Sequence, residues 1–353
     1  MADRRSESVE TAVRGAERAL SALLDQHSDL GDAEDAYRRG DQQGQGDAAN
    51  NLGILLQLRG DFQAAEAAFR RGDQRGHAGA AFNLGLLLRS RGDLEGAEAA
   101  YRRADDRGLG DAANNLGVLL QGRDDLAGAE AAYRRGDQRR QADAANNLGL
   151  LLQRWGDLEG AEAAFRRGDQ RGHAAAAHNL GVLLHRRGDL EGAEAAYRRA
   201  DERGLGDAAN NLGVLRDRRG EHEDAEAAYR RGDERGLGAA AFNLGLLLES
   251  RQELEAAAAA YRRADERGLG AGAFNLGVLL QRRGDVEGAE AAYRRAVERG
   301  HAAAAESLAV LLRGGGDVEG AEAAFRQTSQ RVDSGERERL REAATLVLCG
   351  LRL

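Results

Sequence analysis

Eight asparagines, Asn51, Asn83, Asn115, Asn147, Asn179, Asn211, Asn243 and Asn275, each open an Asn-Leu-Gly triplet, and successive triplets are 32 residues apart. A primary amide offers both a hydrogen-bond donor and an acceptor. A row of amides therefore suits the N–H and C=O groups of an extended polypeptide, whatever its side chains. The alternative is that each amide bonds to an adjacent helix and only stabilises stacking. The residue before each asparagine is Asn50, Phe82, Asn114, Asn146, His178, Asn210, Phe242 or Phe274. Where it is asparagine, an aspartate stands three residues earlier (Asp47, Asp111, Asp143, Asp207); where it is Phe or His, that aspartate is missing. A polar pair at a helix start would explain the coupling. A functional reading adds polar and aromatic binding cells, with Phe82, His178, Phe242 and Phe274 as cell residues. The phenylalanines are candidate hydrophobic anchors for a partner, or fillers of the seam between repeats. Six residues after each ladder asparagine come Gln57, Arg89, Gln121, Gln153, His185, Asp217, Glu249 and Gln281, within a turn of the same face. Apolar Ile54, Leu86 and Val118 lie between.

Other chemistry is thinly represented. His178 and His185 are seven apart, whereas metal-binding histidine pairs on a helix sit four apart. No metal and no cofactor are expected. The lone cysteine, Cys349, excludes an intramolecular disulfide. Catalysis needs several unlike groups converging on one pocket. A series of like groups suits recognition of an elongated ligand instead, so the chain is expected not to be an enzyme.

The elements that must hold these residues are helices. A second marker, an aromatic residue at Tyr37, Phe69, Tyr101, Tyr133, Phe165, Tyr197, Tyr229, Tyr261, Tyr293 and Phe325, also recurs every 32 residues. Each unit reads as two helices. In the first, Leu116, Leu119 and Leu120 make one stripe; in the second, Ala97, Ala100, Tyr101 and Ala104 make another. The turn between them is a Gly-Asp pair such as Gly92-Asp93. Glycine suits the left-handed end of one helix, and aspartate the cap of the next. This accounts for the repeated Arg-Gly-Asp, as at Arg59-Gly60-Asp61, without an adhesion role. His77, His173 and His301 fall in the links between units.

The order Leu52, Gly53, Leu56, then Ala65, Phe69 and Gly72, resembles the tetratricopeptide repeat, and Gly76-His77-Ala78 leading to Asn83-Leu84-Gly85 resembles the related Sel-one-like repeat. The 32-residue period is shorter than the usual 34, and the chain has no proline. The resemblance implies an all-α, right-handed superhelical solenoid of about ten helix-turn-helix repeats. It also implies that the residue before Leu-Gly lies on the concave surface. The eight asparagines then resemble the asparagine ladders of kinesin light chain and O-linked GlcNAc transferase. The expected organisation is an N-terminal extension over residues 1–12, the solenoid over 13–332 and a capping helix over 333–353. The degenerate first repeat carries Ala19, Leu20, Leu23 and Leu24.

Composition bounds the partners. The chain has 353 residues, net charge −8, and only arginine among its 51 basic residues. That charge argues against nucleic acid. No apolar run is long enough for a membrane span, and the first residues lack the apolar segment of a secretory signal. A cytoplasmic, bacterial protein is expected. The Arg-Arg pairs after the aromatics, as at Arg102-Arg103, are expected to form a solvated face, with Glu98 four residues before Arg102. In the C-terminal segment, Leu340, Ala344, Val347 and Leu351 form one apolar stripe. It suits self-association, a partner, or folding back on the solenoid end. The expected function is a scaffold binding an extended peptide or protein segment; the alternatives are an end-to-end structural oligomer or a peptide-responsive regulator.

Overall fold

The structure is a computed structural model that describes residues 30–329. The expected N-terminal extension, Ala19 to Leu24 of the first repeat, and the C-terminal helix with Cys349 lie outside the described residues. The chain divides into two compact units, residues 1–176 and 177–353. The first contains α1 (Leu30–Gln42), α2 (Gly46–Leu58), α3 (Phe62–Gln74), α4 (Ala78–Ser90), α5 (Leu94–Asp106), α6 (Gly110–Gly122), α7 (Leu126–Gln138), α8 (Ala142–Arg154) and α9 (Leu158–Gln170). After α10 (Ala174–Arg186) come α11 (Leu190–Glu202), α12 (Gly206–Arg218), α13 (His222–Glu234), α14 (Gly238–Ser250), α15 (Leu254–Glu266), α16 (Gly270–Arg282), α17 (Val286–Glu298), α18 (Ala302–Gly314) and α19 (Val318–Ser329). No strand occurs among the described residues. Within each unit, consecutive helices pack against each other, and first helices also touch those of the next repeat, as α2 touches α4. This is an all-α repeat solenoid.

The period has a simple origin. Two 13-residue helices and two three-residue links make 32 residues. Each link ends one helix and starts the next in the fewest residues. After α2, Gly60 takes φ +83°, its N–H donates to the Gln57 carbonyl at 3.0 Å, and the Asp61 N–H donates to the Leu56 carbonyl at 2.9 Å. This is a Schellman stop. The Asp61 carboxylate then accepts the Ala64 N–H at 3.0 Å and caps α3. Asp93, Asp125, Asp157, Asp189, Asp285 and Asp317 do the same. The Arg-Gly-Asp tripeptide is thus the end, stop and cap of adjacent helices.

The core is made of alanine, leucine and one aromatic per repeat. Tyr101, Tyr133 and Phe165 are fully buried, as are Ala97, Ala100, Ala129 and Ala132. Each ring lies against the glycine of the Asn-Leu-Gly triplet sixteen residues earlier. A Cβ on Gly117 would stand 2.5 Å from the Tyr133 ring, and one on Gly149 2.6 Å from Phe165. The two sequence markers are therefore two halves of one contact.

Among the described residues, three links break the glycine rule. Asp124, Arg140 and Gln252 take φ of +64°, +65° and +63°. A side chain in that region is strained, less so for aspartate. R140G and Q252G should each raise stability by about 0.5–1 kcal/mol, net of the larger unfolded-state entropy of glycine, with D124G gaining less. Urea denaturation checks this; unchanged midpoints in both variants would contradict it.

Candidate functional site

Every ladder asparagine sits in the second turn of a first helix. Asn83, Asn147, Asn211 and Asn243 pair with the side chain 33 residues earlier, at the corresponding turn of the preceding repeat. Asn83 Nδ2 donates to Asn50 Oδ1 at 2.9 Å, Asn147 to Asn114 at 2.9 Å and Asn243 to Asn210 at 2.8 Å. Asn211 Nδ2 lies 2.9 Å from His178 Nε2. Burial lowers the His178 pKa, only partly offset by the Asp207 charge, which favours the neutral ring. Asn51 accepts from Asn50 at 3.3 Å, Asn179 occupies the same turn of α10, and Asn275 lies against Tyr261. Asn115 differs. The residue 33 before it is Phe82, which has no acceptor, and the Asn115 side chain makes no hydrogen bond within the described residues.

The residue before the ladder follows the cap of the next repeat in most cells, with the Asn210 cell before Leu237 and the Phe274 cell before His301 as exceptions. In three polar cells, those of Asp47, Asp111 and Asp143, the aspartate reaches that cap. The His77 Nδ1 accepts the Ala80 N–H at 2.9 Å while its Nε2 faces Asp47 at 3.0 Å. His173 repeats this with Ala176 and Asp143, and its hydrogen bond to Asp143 holds that carboxyl below its ordinary pKa. Gln141 reaches Asp111 in the same way. In aromatic cells an apolar contact takes over. Phe82 packs with Leu109 on Ala81, Ala104 and Ala112, and Phe274 stacks on His301 with centroids 4.6 Å apart. Phe82, His178, Phe242 and Phe274 also pack against Tyr101, Tyr197, Tyr261 and Tyr293, with centroids 5.8–6.0 Å apart. All four rings are half-buried in the seam rather than standing free.

The glutamines divide by the ring twelve residues later. Gln121 and Gln281 accept the hydroxyls of Tyr133 and Tyr293 at 2.8 and 2.7 Å, as Glu249 accepts that of Tyr261. Gln57 and Gln153 face Phe69 and Phe165, which have no hydroxyl, and make no side-chain hydrogen bond within the described residues. Between asparagine and glutamine runs an aliphatic row. Val118 and Leu150 in the first unit are exposed, as are Leu246 and Val310 in the second.

The second helices carry charge whose placement differs from the expected solvated face. The first arginine of each pair behaves as expected: Arg102 meets Glu98 at 2.5 Å along one helix. The second turns to the neighbouring repeat instead. Arg103 and Arg107 close on Asp73 of the preceding repeat at 2.6 Å each, and Asp73 is buried. Asp41, Asp105, Asp137, Asp201, Asp233 and Asp265 are forked in the same way. One sequence signal marks the fork. Where Val297 replaces the aspartate, Gln327 replaces the arginine 30 residues on.

Among the described residues, no group of three His, Cys, Asp or Glu could hold a metal, and no helix is long and apolar enough to cross a membrane. Sequence profiles of the tetratricopeptide repeat match residues 50–112, 142–170, 173–200 and 274–333.

This chain belongs to the tetratricopeptide-repeat family.

No curated protein sequence gives a significant match. Among solved structures, a Sel1 repeat protein from Oxalobacter formigenes aligns with TM-score 0.65 at 22% identity, covering 82% of this chain and 93% of that one. The similarity is one of fold. PilF of Pseudomonas aeruginosa gives 0.45 at 19% identity, over 54% of this chain and 91% of that one. YrrB, described as a tetratricopeptide protein with an unusual peptide-binding site, gives 0.36 at 21% identity, over 48% and 92%. Membership of the family makes this chain a repeat scaffold of the kind that engages other proteins.

The charged forks and the tyrosine hydroxyls can each be tested by a single substitution. Burial pushes the carboxyls of Asp41 and Asp73 up, but two arginines each more than offset it, and both pKa values end below the ordinary one. The unfolded chain then binds more protons below about pH 4, so the stabilisation is present at neutral pH and lost as pH falls through the folded pKa. D73N should cost about 2 kcal/mol at pH 7. The full penalty of a broken buried pair, about 3–5 kcal/mol, does not apply, because the side chains of Arg103 and Arg107 remain 44% and 26% exposed. Urea midpoints of D73N and the parent should converge towards pH 3; a constant gap would contradict the fork. Separately, the buried Tyr101 hydroxyl has no partner, because Arg89 stands where later repeats place an acceptor, and burial raises its pKa to about 12. R89Q should stabilise by about 1 kcal/mol in a thermal melt, and a lowered Tm would refute that assignment.

Proposed function

We propose that the chain is a non-enzymatic scaffold that holds an extended polypeptide segment along its first helices. The observation that carries this reading is the exposed aliphatic row beside the ladder. Val118 and Leu150 are exposed although the same helices bury their other leucines. They stand three residues after Asn115 and Asn147, and three before Gln121 and Gln153. An extended segment would place its apolar side chains on Val118 and Leu150 and its main chain against the flanking amides.

The amides do not contribute alike. Asn115, Gln57 and Gln153 have donors and acceptors free for a ligand. Asn147, Asn83 and Asn243 already donate to a neighbouring repeat, and the Asn147 oxygen also accepts from Asn146 at 3.5 Å. Gln121 and Gln281 keep their NH₂ groups. The free amides therefore set where the main chain is gripped, and the shared ones keep the repeats in register. Phe82, His178, Phe242 and Phe274 offer a partner only their exposed edges.

The test separates the two kinds of asparagine. N115A should leave the melting curve unchanged and weaken capture of partners from the host cell, identified by mass spectrometry. N147A should cost about 1 kcal/mol of stability, the net value of one hydrogen bond. Partners retained in full by an N115A/V118D double variant with unaltered circular dichroism would sink the proposal.

A further inference from the structure

A second site lies on the second-helix side of the first unit, where one residue interrupts a regular ion-pair pattern. In most repeats a glutamate of the second helix uses both carboxylate oxygens. Its Oε1 takes the arginine four residues on. Its Oε2 takes an arginine 25 residues on, from the link after the next first helix. Arg91 reaches Glu66 Oε2 at 2.5 Å, Arg123 reaches Glu98 at 2.7 Å, Arg219 reaches Glu194 at 2.6 Å and Arg251 reaches Glu226 at 2.5 Å. Arg59 and Glu34 do the same.

Glu130 departs from the pattern. Its Oε1 pairs with Arg134 at 2.6 Å, but the residue 25 positions on is Trp155, the only tryptophan in the chain. Glu130 Oε2 is left without the bridging guanidinium, and its side chain is 21% exposed against 12–17% for Glu34, Glu66, Glu98, Glu194 and Glu226. Trp155 itself is 44% exposed. A cleft of about 450 Å³ opens next to these two residues. It is lined not by Glu130 or Trp155 but by Arg134, which holds Glu130, and by Leu152 and Asp157, close to Trp155 in sequence. Its size is within the range of small-ligand sites, about 300–1,000 Å³. Leu148, Leu152 and Ala163 line it, and Arg134, Gln138 and Asp157 also contribute. The lining arginines are already committed: Arg134 to Glu130, and Arg167 and Arg171 to Asp137. Asp157 uses one oxygen to cap α9 and keeps the other. The groups left open are two carboxylate oxygens and an indole face.

We infer that Trp155 and Glu130 form a receptor for an arginine side chain of a partner polypeptide. The incoming guanidinium takes the place that Arg91 or Arg123 fills in other repeats. It donates to Glu130 Oε2 in a charge-assisted hydrogen bond and stacks on the indole, the aromatic face that holds cations best. Its aliphatic stem lies along the apolar wall of the cleft. Arginine is favoured over lysine because only the planar guanidinium both stacks and hydrogen-bonds in its plane. This site is independent of the first-helix surface. Glu290 supplies an internal comparison. It too lacks the bridging arginine, since Gly315 stands there, but no aromatic residue accompanies it.

The single tryptophan reports directly on the site. The full chain is titrated with the peptide acetyl-Gly-Arg-Gly-amide and with its lysine counterpart, and tryptophan emission is followed. A saturable change is expected with the arginine peptide, at an affinity about tenfold above that for the lysine peptide. E130Q should weaken binding by about tenfold, and E290Q should leave it unchanged. W155R restores the arginine of the other repeats, so it should fold normally and abolish binding measured by calorimetry. It also decides the matter if E130Q fails to fold. No saturable change, equal affinity for the two peptides, or binding retained by W155R would overturn the proposal. A dimer in sedimentation that W155R dissolves would also overturn it, by making a second copy of the chain the source of the arginine.

Discussion

The contact on which the rest of the structure depends is the aromatic ring laid against a helix backbone. Tyr133 lies so close to its neighbouring helix because Gly117 has no side chain, and the same holds for Tyr101 on Gly85 and Phe165 on Gly149. Only in the last described repeat does Ala309 stand at this place, before buried Phe325. Close approach of the two helices follows, and it forces small residues around the contact. Alanine therefore fills positions such as Ala97, Ala100, Ala112 and Ala113, all with no exposed surface. The helices are short, and the links have only three residues. With so little length to absorb error, a methyl group in the wrong place has nowhere to go, because packed interiors tolerate overfilling poorly.

The two helices of a repeat divide the remaining work. The second helices carry the charge that ties one repeat to the next: the buried Asp–Arg forks and the Glu–Arg bridges. The first helices carry amides and an exposed aliphatic row. In the proposed function, stability and recognition are in this way assigned to different faces, within each unit. Repeat stacks gain their stability from nearest-neighbour interfaces, so a face not used for stacking is free to vary. Asn115, with no partner among the described residues, and Asn147, tied to Asn114, mark where the proposed boundary between these roles falls inside one row of like residues.

The helices, the links and their caps were legible in the sequence because their causes are local. Glycine at a left-handed stop and aspartate at a cap act within a few residues, and the 32-residue period repeats them. The forks were not legible in the same way. Arg102 and Arg103 are neighbours of one type, yet one turns to Glu98 on its own helix and the other to Asp73 on the preceding repeat. That choice depends on which side of the helix faces the next repeat, which periodicity alone does not give. The coupled change at Val297 and Gln327 was the available clue. The alternation of Asn50 with Phe82 was visible, but the contact each makes, with the cap residue His77 or Leu109 of the following repeat, lies about 27 residues on. The division of the glutamines follows from whether a Tyr or a Phe stands twelve residues later. That difference is plain in the sequence but acquires meaning only when the two helices are brought together.

The central claim is that the first-helix row, and not the capped start of the second helices, meets an extended partner. Hydroxyl-radical footprinting of the chain with and without its captured partner tests this directly, because it reads the solvent access of individual side chains. Val118 and Leu150 should lose reactivity on binding, while Leu94, at the start of a second helix, should keep it. Shielding of Leu94 with Val118 and Leu150 unchanged would contradict the account.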